Sequence, residues 1–230
     1  MSSRSNAKRV STESLTLNSE VIKAVPVVRN LGIHMDSHLT LDAQIANVQK
    51  QCYYYLNWIR KIRKSLSKET TKSIVHALVI ARIDYCNSLY VNLPKGATEK
   101  LQRIMRSAGR LISQPMWNAS ITEVCRDLHW LPVIKRSQFK VLTLVYKALH
   151  NEAPSYISEM LQSYQPKRTL RSTKSNLLVV KKTRVRYGAR AFSVSGPSLW
   201  NDLPQEIRDS NSFSIFKRKL KTYLFQKAYY

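Results

Sequence analysis

The run from Ile74 to Pro94, IVHALVIARIDYCNSLYVNLP, constrains this chain most. It is the most apolar stretch of a very basic sequence, so a stable fold has to bury it. At its centre stand Arg82 and Asp84, followed by Tyr85, Cys86 and Asn87. A carboxylate inside an apolar helix is either a reacting group or a polar pin. Two-metal phosphoryl transfer needs at least two converging carboxylates. The six Asp residues (36, 42, 84, 127, 202 and 209) occur singly, and the nearest charged neighbour of Asp84 in sequence is Arg82. A structural role for Asp84 is expected, held by Arg82, a backbone group or a neighbouring helix.

Periodicity places that run among helices. Ile45, Val48, Cys52, Tyr55, Leu56, Ile59 and Ile62 recur at spacings of three and four. They form one face of a helix of roughly six turns beginning after Thr40. Ser67 with Glu69 opens the next helix, which is expected to run to about Val91 and stop at Pro94. Leu101, Ile104, Ala108, Leu111 and Ile112 repeat the helical period. Ser120 and Glu123 have capping-box spacing ahead of a short helix to Leu128. Trp130 sits in a break, and Pro132 suits the first turn of a helix to about His150. A short helix is expected over Ser155 to Tyr164, and a last one over Ser214 to Ala228. Between them, Pro197 and Pro204 punctuate a linker containing Trp200, a core anchor.

Before residue 40 the pattern changes. Val21 to Ile33 is rich in β-branched residues, with Pro26 in its middle, which suits short or edge strands. The expected fold is therefore mainly α: a helical bundle with a short N-terminal β element and a basic, partly extended or small-β segment near 165–195. The segments expected are 1–39, 40–164 and 165–230.

Charge narrows the function. The chain carries 38 Lys+Arg against 14 Asp+Glu, a formal +24. Nucleic acid is the commonest anionic partner of such a surface, with anionic membrane second. Arg60, Lys61, Arg63 and Lys64 close the first long helix, and Lys100, Arg103, Arg106 and Arg110 form a stripe on a later one. From Met160 to Asn201 there is no acidic residue, while Lys167, Arg168, Arg171, Lys181, Lys182, Arg184, Arg186 and Arg190 lie within it. Tyr164, Tyr187, Phe192 and Trp200 are interleaved; they read as base-stacking groups or, for Phe192 and Trp200, as core anchors.

Other chemistries find little support. Five Gly exclude a phosphate-cradling or dinucleotide-binding glycine loop, and no nucleophile motif is present. Cys125 and His129 have a usable two-ligand spacing, but no second pair lies nearby, so no metal is expected. Three scattered Cys suggest a reducing compartment, hence an intracellular place in nucleus or cytoplasm. No apolar run is long enough for a membrane span.

An ordered series of short motifs adds a family. Arg29-Asn30-Leu31-Gly32-Ile33, Arg60-Lys61-Ile62-Arg63, His76-Ala77 and Arg82 to Leu89 come first. Leu128-His129-Trp130-Leu131-Pro132-Val133, Tyr146-Lys147-Ala148-Leu149 and Arg168-Thr169-Leu170-Arg171-Ser172 follow. Leu199 to Pro204 and Phe216-Lys217 to Leu224-Phe225 close the series. From about residue 8 on, the chain resembles the C-terminal part of the reverse transcriptase of LINE-type, non-LTR retrotransposons of the jockey-like branch. The resemblance implies the end of a palm, then a thumb over 40–113 that grips template–primer duplex, then a basic extension onto RNA or target DNA. It also implies that the metal-binding aspartates, and with them Mg2+, belong to a palm motif absent here, as in a truncated element copy or a short gene model. No cofactor is expected for this chain. The expectation is a nucleic-acid-binding fragment of a retrotransposon reverse transcriptase without polymerase activity of its own. The alternatives are an incomplete piece of an active RNA-directed DNA polymerase and a basic membrane-surface or repurposed interaction protein.

Overall fold

The computed structural model describes residues 14–114, 119–165, 176–185 and 187–230, and the chain divides into two units, Met1–Ala46 and Asn47–Tyr230. As expected, it is mainly helical with a short antiparallel β element at its N-terminal end.

The first unit contains two hairpins. Strand β1 (Ser14–Leu17) pairs with β2 (Glu20–Lys23), and β3 (Val27–Asn30) with β4 (Ile33–Asp36). Both hairpins close through two residues with positive φ, Asn18 (48°) and Ser19 (68°), then Leu31 (46°) and Gly32 (82°). Paired positive φ matches the right-handed twist of the strands, and Gly32 adopts it without a Cβ penalty. Asp36 ends β4 and organises the following turn. Its carboxylate accepts hydrogen bonds from the His38, Thr40 and Leu41 amides and from the Thr40 hydroxyl, at 2.7 to 3.1 Å. Partial burial acts to raise the Asp36 pKa, but these four donors outweigh it and leave the pKa lowered.

The division at Ala46 falls within α1 (Asp42–Ile62). In the second unit, Val48, Cys52, Leu56 and Ile59 of α1 are buried, as the periodicity predicts. A 3-10 turn, Arg63–Ser65, leads to α2 (Lys68–Val75), whose first turn is capped by Ser67 Oγ accepting from the Thr70 amide at 3.1 Å. A π turn, His76–Ile80, continues directly into α3 (Ala81–Asp84). The helix ends there, not near Val91. Tyr85 is extended, Cys86 is left-handed (φ 51°), and a 3-10 turn, Asn87–Tyr90, packs on a later helix.

Helix α4 (Lys95–Ser113) buries Leu101, Ile104, Met105, Ala108, Leu111 and Ile112. Helix α5 (Ile121–Asp127) lacks the expected capping box, because the Ser120 side chain makes no cap hydrogen bond. Pro132 is the N-cap of α6 (Val133–Leu149), and α7 (Ser155–Ser158) is shorter than expected. In the acid-free segment the described part is largely extended, with one bridge from Leu178 to Ser163 and a 3-10 turn at Gly188–Arg190.

The stretch expected as a linker is instead α8 (Phe192–Asn201), with Pro197 inside it. Gly196 explains why this helix sits where it does. A Cβ there would lie 3.0 Å from Val145 Cγ2 of α6, so the glycine permits the close approach. Helices α9 (Gln205–Arg208) and α10 (Phe213–Tyr229) complete the chain.

One apolar cluster joins Val141, Leu142, Val145 and Tyr146 of α6, Trp200 of α8, and Phe216, Leu220 and Leu224 of α10, with Leu178 from the extended segment. Tyr146 stacks on Phe216 with centroids 4.3 Å apart, and its hydroxyl donates to the Ser210 carbonyl at 2.9 Å. The indole of Trp200 donates to the Asn176 carbonyl at 2.8 Å. Residues beyond 165 therefore share a core with those before it, and no division falls at 164.

Candidate nucleic-acid interface

The π turn shapes the site. Its closing bond runs from the Ala81 amide to the His76 carbonyl, one residue longer than an α turn. It brings His76 beside Trp130, whose indole N–H donates to His76 Nε2 at 3.1 Å. That bond fixes His76 as a neutral imidazole protonated on Nδ1. Burial, then the charges of Arg136 and Lys72, hold its pKa below the ordinary 6.5, with Asp84 opposing them. Trp130 is only 2% exposed, so it is a wall of the site and a structural residue.

One turn further along, Asp84 resolves its ambiguity. Its Oδ2 accepts from Arg136 Nη1 of α6 at 2.6 Å, and its Oδ1 accepts from Asn87 Nδ2 at 3.2 Å. Arg136 also donates to the Leu131 carbonyl at 2.8 Å. The neighbouring helix supplies the partner. Arg82 turns the other way, donating to Gln51 and Tyr55 of α1 with its guanidinium 4.3 Å from the Tyr55 ring centroid. Asp84 thus ties α3 to α6.

These groups line a cavity of about 800 Å³. Lys72, His76, Ile80, Asp84 and Asn87 line it from one side, and Trp130, Leu131, Arg136, Phe139 and Lys140 from another. Lys217, Arg218 and Lys221 of α10 complete it. Six cations meet one carboxylate, and that carboxylate already holds Arg136. Lys72, Lys140, Lys217, Arg218 and Lys221 have no carboxylate within ion-pair distance among the described residues. A cleft lined mainly by one sign of charge concentrates field into its opening.

The basic residues singled out in the sequence are distributed otherwise. Arg60, Lys61 and Lys64 are exposed at the end of α1. Lys61 Nζ lies 5.4 Å from the centroid of the Trp58 ring, which is itself 53% exposed. Arg63 is not available in that patch. It donates to the carbonyls of Leu111 (3.0 Å), Ile112 (3.2 Å) and Leu66 (2.8 Å), capping the C-terminal end of α4. On α4, Glu99 lies 2.5 Å from Arg106 and 4.0 Å from Arg103, which partly neutralises the stripe, while Arg110 is exposed. Lys181, Lys182 and Arg184 are exposed, and Arg190 Nη2 donates to the Leu89 carbonyl at 3.3 Å. Lys167, Arg168, Arg171 and Arg186 lie outside the described residues. Of the interleaved aromatics, Tyr164 and Tyr187 are exposed, whereas Phe192 packs on the core and Trp200 is in it.

The cavity cations were the part missed. Arg136 with Lys140 and Lys217 with Lys221 each have i,i+4 spacing, which sets both members on one helix face. That signal was legible; the convergence of the two faces was not. Among the described residues no three His, Cys, Asp or Glu groups gather as for a metal ion. Burial pushes the Cys52 thiol up to about 11 against the lowering effect of Arg82, so it is a poor nucleophile. No described helix is long and apolar enough to cross a membrane. No protein-family model, curated protein or solved structure matches the chain.

Proposed function

We propose that the chain binds nucleic acid through Lys and Arg contacts to phosphates, as a fragment similar to the thumb and post-thumb part of a non-LTR retrotransposon reverse transcriptase. The observation that carries the binding reading is the cavity in which five cations without a carboxylate partner among the described residues converge from α2, α6 and α10. Lys140, Lys217, Arg218 and Lys221 are exposed at its rim, where phosphates of a strand can reach them. The exposed cations of α1 and of the acid-free segment extend the positive surface. The family part rests on the ordered motifs from Arg29 to Phe225 and on no structural likeness.

Such binding is predominantly electrostatic and nearly independent of sequence. For six or more phosphate contacts, affinity for an oligonucleotide is expected to fall on the order of 10³-fold between 50 and 200 mM salt. A flat profile removes the reading. Equal affinity for anionic vesicles would replace it with a membrane-surface role. Primer extension by the purified chain on an RNA template would show that polymerase chemistry resides in it, against the proposal.

A further inference from the structure

The cavity has a feature that phosphate binding alone leaves unused. Apolar surface from Ile80, Leu131 and Phe139 lines the same space. Exposure sorts these groups by depth: Lys140, Lys217, Arg218 and Lys221 are exposed, whereas Ile80, Asn87, Trp130 and Leu131 are buried.

We infer that the cavity takes one nucleotide unit of a nucleic-acid strand. Its phosphate lies among the rim cations, and its base or sugar enters against Ile80, Leu131 and Phe139. The volume of about 800 Å³ lies within the range of pockets that enclose small organic ligands. Inorganic phosphate would use only the rim and a nucleoside only the floor; a nucleotide uses both. The inference deepens the nucleic-acid reading and rests on it, because it assigns the cavity to part of the same ligand.

Titration of the full chain with AMP, adenosine and inorganic phosphate at low salt tests it. AMP is expected to bind at least about tenfold tighter than either partial ligand, the size of effect one charge-assisted contact supplies. The exposed pair Lys140→Gln with Lys221→Gln should weaken AMP by about tenfold or more. The distant pair Lys61→Gln with Lys64→Gln should leave AMP unchanged while weakening an oligonucleotide. AMP binding no tighter than phosphate, or unaffected by Lys140→Gln with Lys221→Gln, overturns the inference. If a salt-sensitive oligonucleotide complex persists in either case, the broader reading survives it. Absence of oligonucleotide binding by the unmodified chain removes that reading instead.

Discussion

Two basic regions of this protein look alike in sequence and differ in what their cations touch. At the end of α1 and along α4, much of the charge is committed within the protein. Arg63 caps three carbonyls, and Arg103 and Arg106 share Glu99. In the cavity between α2, α6 and α10, Arg136 alone holds the single acid, and the remaining five cations have no carboxylate partner among the described residues. Positive charge counted along a chain is therefore a poor measure of positive charge available to a ligand. The difference arises because carbonyls at helix ends and neighbouring carboxylates take guanidinium groups first, through bonds a solvated phosphate has to compete with.

The largest effect should come from the uncommitted side. Lys140→Glu, Lys217→Glu and Lys221→Glu together remove three cations and add three repelling charges, and all three positions are exposed, so the fold should tolerate them. The slope of log affinity against log salt for single-stranded nucleic acid should fall by about 2 units, at roughly 0.7 per contact. An unchanged slope would place the binding surface elsewhere and dissolve the contrast between the two regions.

Arg63→Ala should do the reverse, lowering stability more than affinity. It removes three hydrogen bonds from one guanidinium and strips the C-terminal carbonyls of α4 of their partner. A loss of about 2–3 kcal/mol is expected in denaturant unfolding, with the salt slope nearly intact. A fall in the salt slope without loss of stability would return Arg63 to the binding surface.

These assignments explain what was readable in advance. The α1 face from Ile45 to Ile59, the breaks at Pro94 and Pro132 and the burial of Trp130 and Trp200 follow from local rules that tertiary contacts did not oppose, whereas Ile62, read onto the same face, is 47% exposed. The failures were tertiary. The helix stops at Asp84, where Tyr85 turns extended and Cys86 left-handed, and Arg136, 52 residues away, holds the Asp84 carboxylate at 2.6 Å. Pro197 reads as a breaker, yet it lies within a helix that packs closely on α6 through Gly196. Lys217 and Lys221 have i,i+4 spacing on one helix; only the position of α10 beside α6 makes them a wall. Periodicity assigns a residue to a face, and packing decides what that face meets.

A smaller effect should come from His76, on the wall of the same cavity. His76 is depressed by burial, then by Arg136 and Lys72, against the pull of Asp84. The unfolded chain therefore takes up this proton more readily than the folded one. Its contribution to stability is complete above the unfolded value near 6.5 and is lost as pH falls from there through the folded pKa. Melting temperature should decline over that window, and His76→Phe should flatten the decline by removing the group whose Nε2 accepts from Trp130. An identical decline in the variant would assign it to other groups; Asp36, whose lowered pKa places its own loss below 3.8, acts only at more acid pH.

The smallest effect tests whether committed cations can be released. Glu99→Gln removes the carboxylate beside Arg106 and Arg103, whose side chains are 42% and 67% exposed. Pairs this exposed contribute about 0–1 kcal/mol, so stability should barely move. The released charge should raise oligonucleotide affinity by roughly two- to threefold at low salt and little at high salt, because screening acts on exposed charge first. Such a gain would show that the α4 stripe is quiet because Glu99 holds it. No gain would mean that the stripe lies off the path of the strand even when freed, leaving the cavity between α2, α6 and α10 as the region where position, as well as charge, favours a ligand.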